Sequence, residues 1–198
     1  MSNAEGADPA GAPDAARRLM DAGIAASRSN DSALALGLFA QASAAMPGWG
    51  LPHFLSGSEY AALGDWAKAE AELANAVLLA PGLHLARYQL GLLQFSSARA
   101  AVALVTWQPL LGSQEEPSLS DFVQGFAALA QGLFDEARGH FRRGLSHASV
   151  NPSVAGDIGK VLEKLLAASS TREELADQAA PEPLSHVLVA NYDRSKLH

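Results

Sequence analysis

Small and bulky apolar residues recur along this chain at a fixed interval of 34. Gly23, Gly57, Gly91, Gly125 and Gly159 form one column, and Ala35, Ala69, Ala103 and Ala137 a second. Phe39, Leu73, Trp107 and Phe141 form a third. Three columns in one phase mark an internal repeat. Between glycine and alanine lies a polar or glycine break: Asn30-Asp31, Gly64-Asp65 and Gly132. The spacing predicts two short helices per unit, joined by a tight turn. A small residue on each helix lets the two backbones approach. The bulky residue four positions after the alanine plugs the interface with the neighbouring helices. Pro47 and Pro81, also 34 apart, end the second helices of their units.

Beyond the last unit, the pattern predicts a helix over 152–168. Val154, Ile158, Val161, Leu162, Leu165 and Leu166 share one face, and Asp157, Lys160, Glu163 and Lys164 the other. Such a helix suits the cap that a repeat stack needs at its end. Thr171-Arg172-Glu173-Glu174 is a capping-box match that opens a short helix to Gln178. Pro181-Glu182-Pro183 then breaks the chain, and residues 184–192 are its most β-prone, apolar stretch. Residues 1–15 read as a disordered polar leader.

The second unit carries Gly57-Ser58-Glu59-Tyr60-Ala61-Ala62-Leu63-Gly64-Asp65-Trp66-Ala67-Lys68-Ala69, then Leu73, Ala76 and Pro81. The fourth carries Gly125, Ala128, Gly132-Leu133-Phe134-Asp135-Glu136-Ala137 and Phe141. This pattern resembles the tetratricopeptide repeat family, over about 136 of the 198 residues. The resemblance implies an all-α fold: a right-handed α-α superhelix of four helix-turn-helix repeats (16–49, 50–83, 84–117, 118–151) plus the capping helix. The third unit departs from the pattern with Leu110 at a usual small position and no proline at its expected end.

Composition narrows the functional classes. The chain has 14 Lys+Arg against 21 Asp+Glu, a formal net charge of −7, which argues against a nucleic-acid partner. It has no cysteine, which removes disulfides, thiol nucleophiles, iron–sulfur clusters and zinc fingers. No apolar run is long enough for a membrane span, and no basic-plus-apolar export leader is present, so a cytoplasmic protein without membrane contact is the expectation. Alanine richness is what a GC-rich bacterial genome would give.

No catalytic or metal constellation is legible. His53, His84, His140, His147, His186 and His198 include no i, i+4 pair. The glycines sit mid-helix at a fixed period rather than in a phosphate loop, and no nucleophile, base and orienting group come together. The expectation is a protein without cofactor, metal or enzymatic activity.

The family resemblance places the first helix of each unit along a concave groove that holds partner peptides. In register, that groove receives Met20 and Ile24 from unit one, with Arg17, Asp21 and Arg28 beside them. Leu51, Phe54 and Leu55 come from unit two, with Ser58; Leu85, Tyr88, Leu92 and Phe95 from unit three, with Gln89. Leu119, Phe122, Phe126 and Leu129 come from unit four, with Val123, and Lys160 and Lys164 stand at the far rim. Only Arg17 and Arg28 resemble a carboxylate clamp, so the groove reads as apolar and aromatic. Each of these large side chains also suits the ordinary core between units. As a groove, the row would receive an apolar protein segment, in an adaptor or chaperone-like role, and residues 184–192 supply one. The tail would lie in its own chain or, as an alternative, be exchanged to build a homodimer.

Overall fold

A computed structural model of the chain describes residues 14–148 and 150–178. The expected leader up to residue 13 and the expected apolar tail at 184–192 lie outside the described residues. Among the described residues every regular element is helical. The order is α1 (Asp14–Arg28), α2 (Ser32–Ala45), α3 (Gly50–Ala62), α4 (Trp66–Leu79), α5 (His84–Ser96), α6 (Ala100–Trp107), α7 (Pro117–Ala130), α8 (Phe134–Ser146) and α9 (Pro152–Gln178). A 3-10 turn, Gln108–Leu110, follows α6. Helix α1 starts at Asp14, two residues earlier than expected.

Turn chemistry repeats with the sequence. Asn30, Gly64, Ala98 and Gly132, each 34 residues from the next, adopt positive φ of 59°, 77°, 61° and 75°. Each reverses the chain between the first and second helix of a unit. Asp31 and Asp65 then cap the following helices, their Oδ1 atoms accepting from Leu34 N at 3.1 Å and Lys68 N at 3.3 Å. These bonds satisfy amides that a helix start leaves open. At the other ends α2 stops at Ala45 and α4 at Leu79, each ahead of its proline.

The chain divides into two compact units, Met1–Asn151 and Pro152–His198. In the first, α1/α2, α3/α4, α5/α6 and α7/α8 form antiparallel hairpins, and α2/α3 and α4/α5 join successive hairpins. The three sequence columns have distinct duties. All four column alanines are fully buried. The bulky residue of each hairpin lies over the glycine of the same hairpin. A Cβ on Gly23 would come within 2.5 Å of the Phe39 ring, one on Gly57 within 2.7 Å of Leu73, and one on Gly125 within 2.5 Å of Phe141. On Gly91 it would overlap the Trp107 indole. The bulky column thus closes its own hairpin, which narrows the expectation that it plugs the neighbouring interface.

The third joint differs. Helix α6 has only eight residues, because Pro109 follows within two residues of its end and carries no N–H. Contacts between α6 and α7 are sparse, and α5 meets α7 directly. Leu110, in the 3-10 turn, is fully buried. Aromatic rings fill the joint. Phe95 and Phe126 lie 5.2 Å apart, Trp107 and Phe126 5.3 Å, Phe126 and Phe141 5.1 Å, and Tyr88 and Phe122 6.3 Å between centroids. Trp107 Nε1 donates to the Tyr88 carbonyl at 2.9 Å.

The second unit holds one continuous helix, α9. The expected break between 168 and 171 is absent: no glycine or proline interrupts Ala168-Ser169-Ser170-Thr171, so the capping-box residues fall inside the helix. A Cβ on Gly159 would meet nothing within 4 Å. The fifth glycine keeps the phase without the packing duty.

Candidate binding surface

The thirteen residues expected along the groove separate by burial. Met20, Phe54, Tyr88, Leu119, Phe122 and Phe126 are interior, with Phe122 at 0 % and Tyr88 at 2 % exposure. Ile24, Leu51, Leu55, Leu85, Leu92, Phe95 and Leu129 are half-buried. Most of the expected aromatic floor is therefore core. Met20, Phe54, Tyr88 and Phe122 lie 34 residues apart and are all interior, so this position of the first helix faces the core in every repeat. In the fourth unit Phe122 also fills the space over Gly144 of α8. What remains on the face of α1, α3, α5 and α7 is a mainly aliphatic strip.

Polar ties link the first helices. Ser58 Oγ donates to Gln89 Oε1 at 3.1 Å, joining α3 to α5, and Ser27 Oγ donates to Glu59, joining α1 to α3. At the first repeat the surface opens into a cavity of about 370 Å³ lined by Arg17, Met20, Asp21, Ile24, Trp49 and Leu51. Trp49 escapes the sequence reading because it lies between helices, directly before α3. Its only signal is an aromatic beside the Pro47-Gly48 turn.

The histidines of the first unit are all partnered. His53 Nδ1 lies 2.7 Å from Glu72 Oε2, and its Nε2 lies 3.0 Å from Ser43 Oγ. The structure thus brings a hydroxyl, an imidazole and a carboxylate into the sequence order that the residue pattern did not reveal. Ser43 sits within α2, where the helix ladder engages the neighbouring amides, so its own element offers no donor to a developing oxyanion. The relay ties α2, α3 and α4. His147 Nε2 meets Asp121 Oδ2 at 2.9 Å, His140 lies 3.6 Å from the same carboxylate, and His84 faces Glu115 at 3.9 Å. Arg99 makes two hydrogen bonds to Glu70, at 2.8 and 2.6 Å, bridging the second and third hairpins. Those bonds, ahead of the charge itself, hold the Glu70 carboxyl below its ordinary value of 4.5. Among the described residues no group of three His, Asp or Glu could hold a metal ion, and no helix is long and apolar enough to cross a membrane.

Solved structures share this architecture. A tetratricopeptide repeat protein from Parabacteroides merdae superposes with a TM-score of 0.61 at 18 % identity, over 90 % of this chain and 69 % of that one. PilW, a type IV pilus biogenesis factor, gives 0.60 at 18 % identity, over 82 % and 80 %. MamA from Desulfovibrio magneticus gives 0.58 at 15 % identity, over 86 % and 99 %. The chain has the tetratricopeptide-repeat fold. No family model matches its sequence, and no curated protein does. The all-α superhelix expected from the repeat is thus found through structure, at identities where the sequences themselves have diverged.

Proposed function

We propose that the chain is a non-catalytic protein-interaction module that holds an apolar protein segment along the face of α1, α3, α5 and α7. One observation carries this reading: seven half-buried apolar side chains run from Ile24 to Leu129, with an open cavity at the first-repeat end. Contiguous apolar surface on a monomer commonly marks an interaction site. The shared fold agrees with the reading, since helical repeats offer extended binding faces. The apolar segment at 184–192 is the occupant this reading favours, in an intramolecular arrangement. Its exchange between two copies, giving a dimer, is the second reading.

The test compares the full chain with a form lacking residues 181–198. Removal of the tail raises binding of a hydrophobic dye, and Leu85→Asp in the truncated form lowers it again while helical content is kept. Unchanged dye binding on truncation counts against tail occupancy. Size-exclusion of the two forms separates a dimer held by tail exchange from a monomer. A fluorescent peptide of residues 184–198 that fails to bind the truncated form, together with unchanged dye binding, ends the reading.

A further inference from the structure

The relay of Ser43, His53 and Glu72 is not a feature that the repeats share. In steps of 34 the column of Ser43 reads Ser43, Val77, Leu111 and Leu145. The column of His53 reads Leu19, His53, Arg87 and Asp121, and that of Glu72 reads Leu38, Glu72, Thr106 and His140. The contact between the last two columns is reused: Arg87 donates to the Thr106 carbonyl at 3.4 Å, and Asp121 faces His140 at 3.6 Å. The hydroxyl is not reused. Val77 and Leu111 stand in its place in the following units, so the joint between successive hairpins is made without it. At residue 43 alone a hydroxyl replaces an aliphatic side chain. Its Oγ lies 3.0 Å from an imidazole whose other nitrogen is held at 2.7 Å by a carboxylate.

A carboxylate accepts and does not donate, so Glu72 Oε2 takes the hydrogen bond of His53 Nδ1–H and leaves the Nε2 lone pair to accept from the Ser43 hydroxyl. In that order a base activates a hydroxyl nucleophile and a third group orients the base. Solvent reaches all three. His53 and Glu72 are 18 % and 28 % exposed, Ser43 is half-buried, and Ala40, Ala44 and Pro47 around it are small and exposed. We propose that Ser43 is a modification site that accepts one acyl group from an activated acyl donor. Its Oγ attacks the carbonyl carbon, and the bond from that carbon to the leaving group breaks. The Ser43 proton passes to His53 Nε2 and from there to the departing atom. Glu72 is a positioning residue that fixes the ring and steadies the imidazolium. A good leaving group eases the first step, although the ladder of α2 withholds amides from the oxyanion. The serine ester that forms has a poor leaving group, so water removes it slowly and the acyl group stays. This acceptor role is separate from the holding of a peptide.

The experiment incubates the full chain with 4-nitrophenyl acetate, follows nitrophenolate release, and maps the acetyl groups by mass spectrometry of the digested protein. Acetyl is expected on the peptide carrying Ser43, ahead of the exposed serines Ser29 and Ser97. The release lost in Ser43→Ala should amount to one equivalent per chain. His53→Gln slows labelling of Ser43 about a hundred-fold, the low end of what a general base contributes. Glu72→Gln slows it several-fold, and Glu72→Asp recovers part of that loss. Circular dichroism of each variant confirms retained helix. Labelling of Ser43 no faster than that of Ser97, or unchanged in His53→Gln, overturns the site and leaves the peptide-holding face standing. Equal rates in Glu72→Gln and the natural chain overturn the positioning role. Ser43-dependent release that runs past one equivalent overturns the single-use assignment, and the non-catalytic reading with it.

Discussion

Gly91 and Trp107 share one space: a β-carbon on the glycine would overlap the indole, whose Nε1 is fixed by the Tyr88 carbonyl at 2.9 Å. Gly91→Ala therefore forces the ring or the hairpin to move. The expected loss is about 1–3 kcal/mol, the usual range for overpacking. Gly37, also inside a helix, has open space where its Cβ would be. Gly37→Ala should stabilise by up to about 1 kcal/mol through helix propensity. Urea melts of the two variants give shifts of opposite sign if the packing assignment is right.

Ala98 holds the backbone position that glycine holds at Gly64 and Gly132. Its Cβ clashes with the following carbonyl in that left-handed conformation, at about 1–2 kcal/mol. Ala98→Gly relieves the clash and loosens the unfolded chain, so a net gain of about 0.5–1 kcal/mol is expected. Gly64→Ala should move the other way. Thermal melts of both report it.

Phe126 touches Phe95, Trp107 and Phe141. Phe126→Ala should cost about 3–5 kcal/mol and abolish cooperative unfolding of the last two hairpins. Such a variant is uninformative about binding, because the side chain is 3 % exposed. Leu55→Ser and Leu85→Ser, on the half-buried strip, should weaken capture of an apolar peptide while the far-ultraviolet spectrum holds.

Arg99 lowers the pKa of Glu70, so the folded state favours the carboxylate more than the unfolded chain does. This contribution is complete above the ordinary carboxyl value of 4.5 and fades as pH falls through the lowered folded value. Glu70→Gln should therefore be less stable than the natural chain at about pH 6, and the difference should shrink as pH falls below 4.5 toward the lowered folded value. Added salt should also shrink the difference at the higher pH, since the pair is partly exposed.

The repeat was legible because its constraint is local. One glycine must face one large side chain sixteen residues later, so the pair appears in the sequence as two columns. The first, second and fourth turns were legible for the same reason, from Asn30, Gly64 and Gly132. Ala98 carries no turn signal, and its conformation is imposed by the helices on either side. The fate of the aromatics was not legible. Tyr88 and Phe122 occupy positions expected to face a ligand, yet with Met20 and Phe54 they form a 34-residue column that is interior in every repeat. Which face of the first helix meets the neighbouring hairpin is set by non-local packing that no local pattern announces. The relay of Ser43, His53 and Glu72 spans three helices, and no spacing rule connects residues 43, 53 and 72.

Because each glycine is matched to a bulky partner within its own hairpin, a hairpin carries both halves of its closure. Duplicating or excising the first or second hairpin as a 34-residue block keeps lock and key together, and such a cassette can be moved along the array. The last two hairpins lack that freedom. Their rings pack against one another across the boundary, so a cut there parts Phe126 from Phe95 and Trp107, and a cassette exchange at that joint is expected to fold less well than one between the first two hairpins.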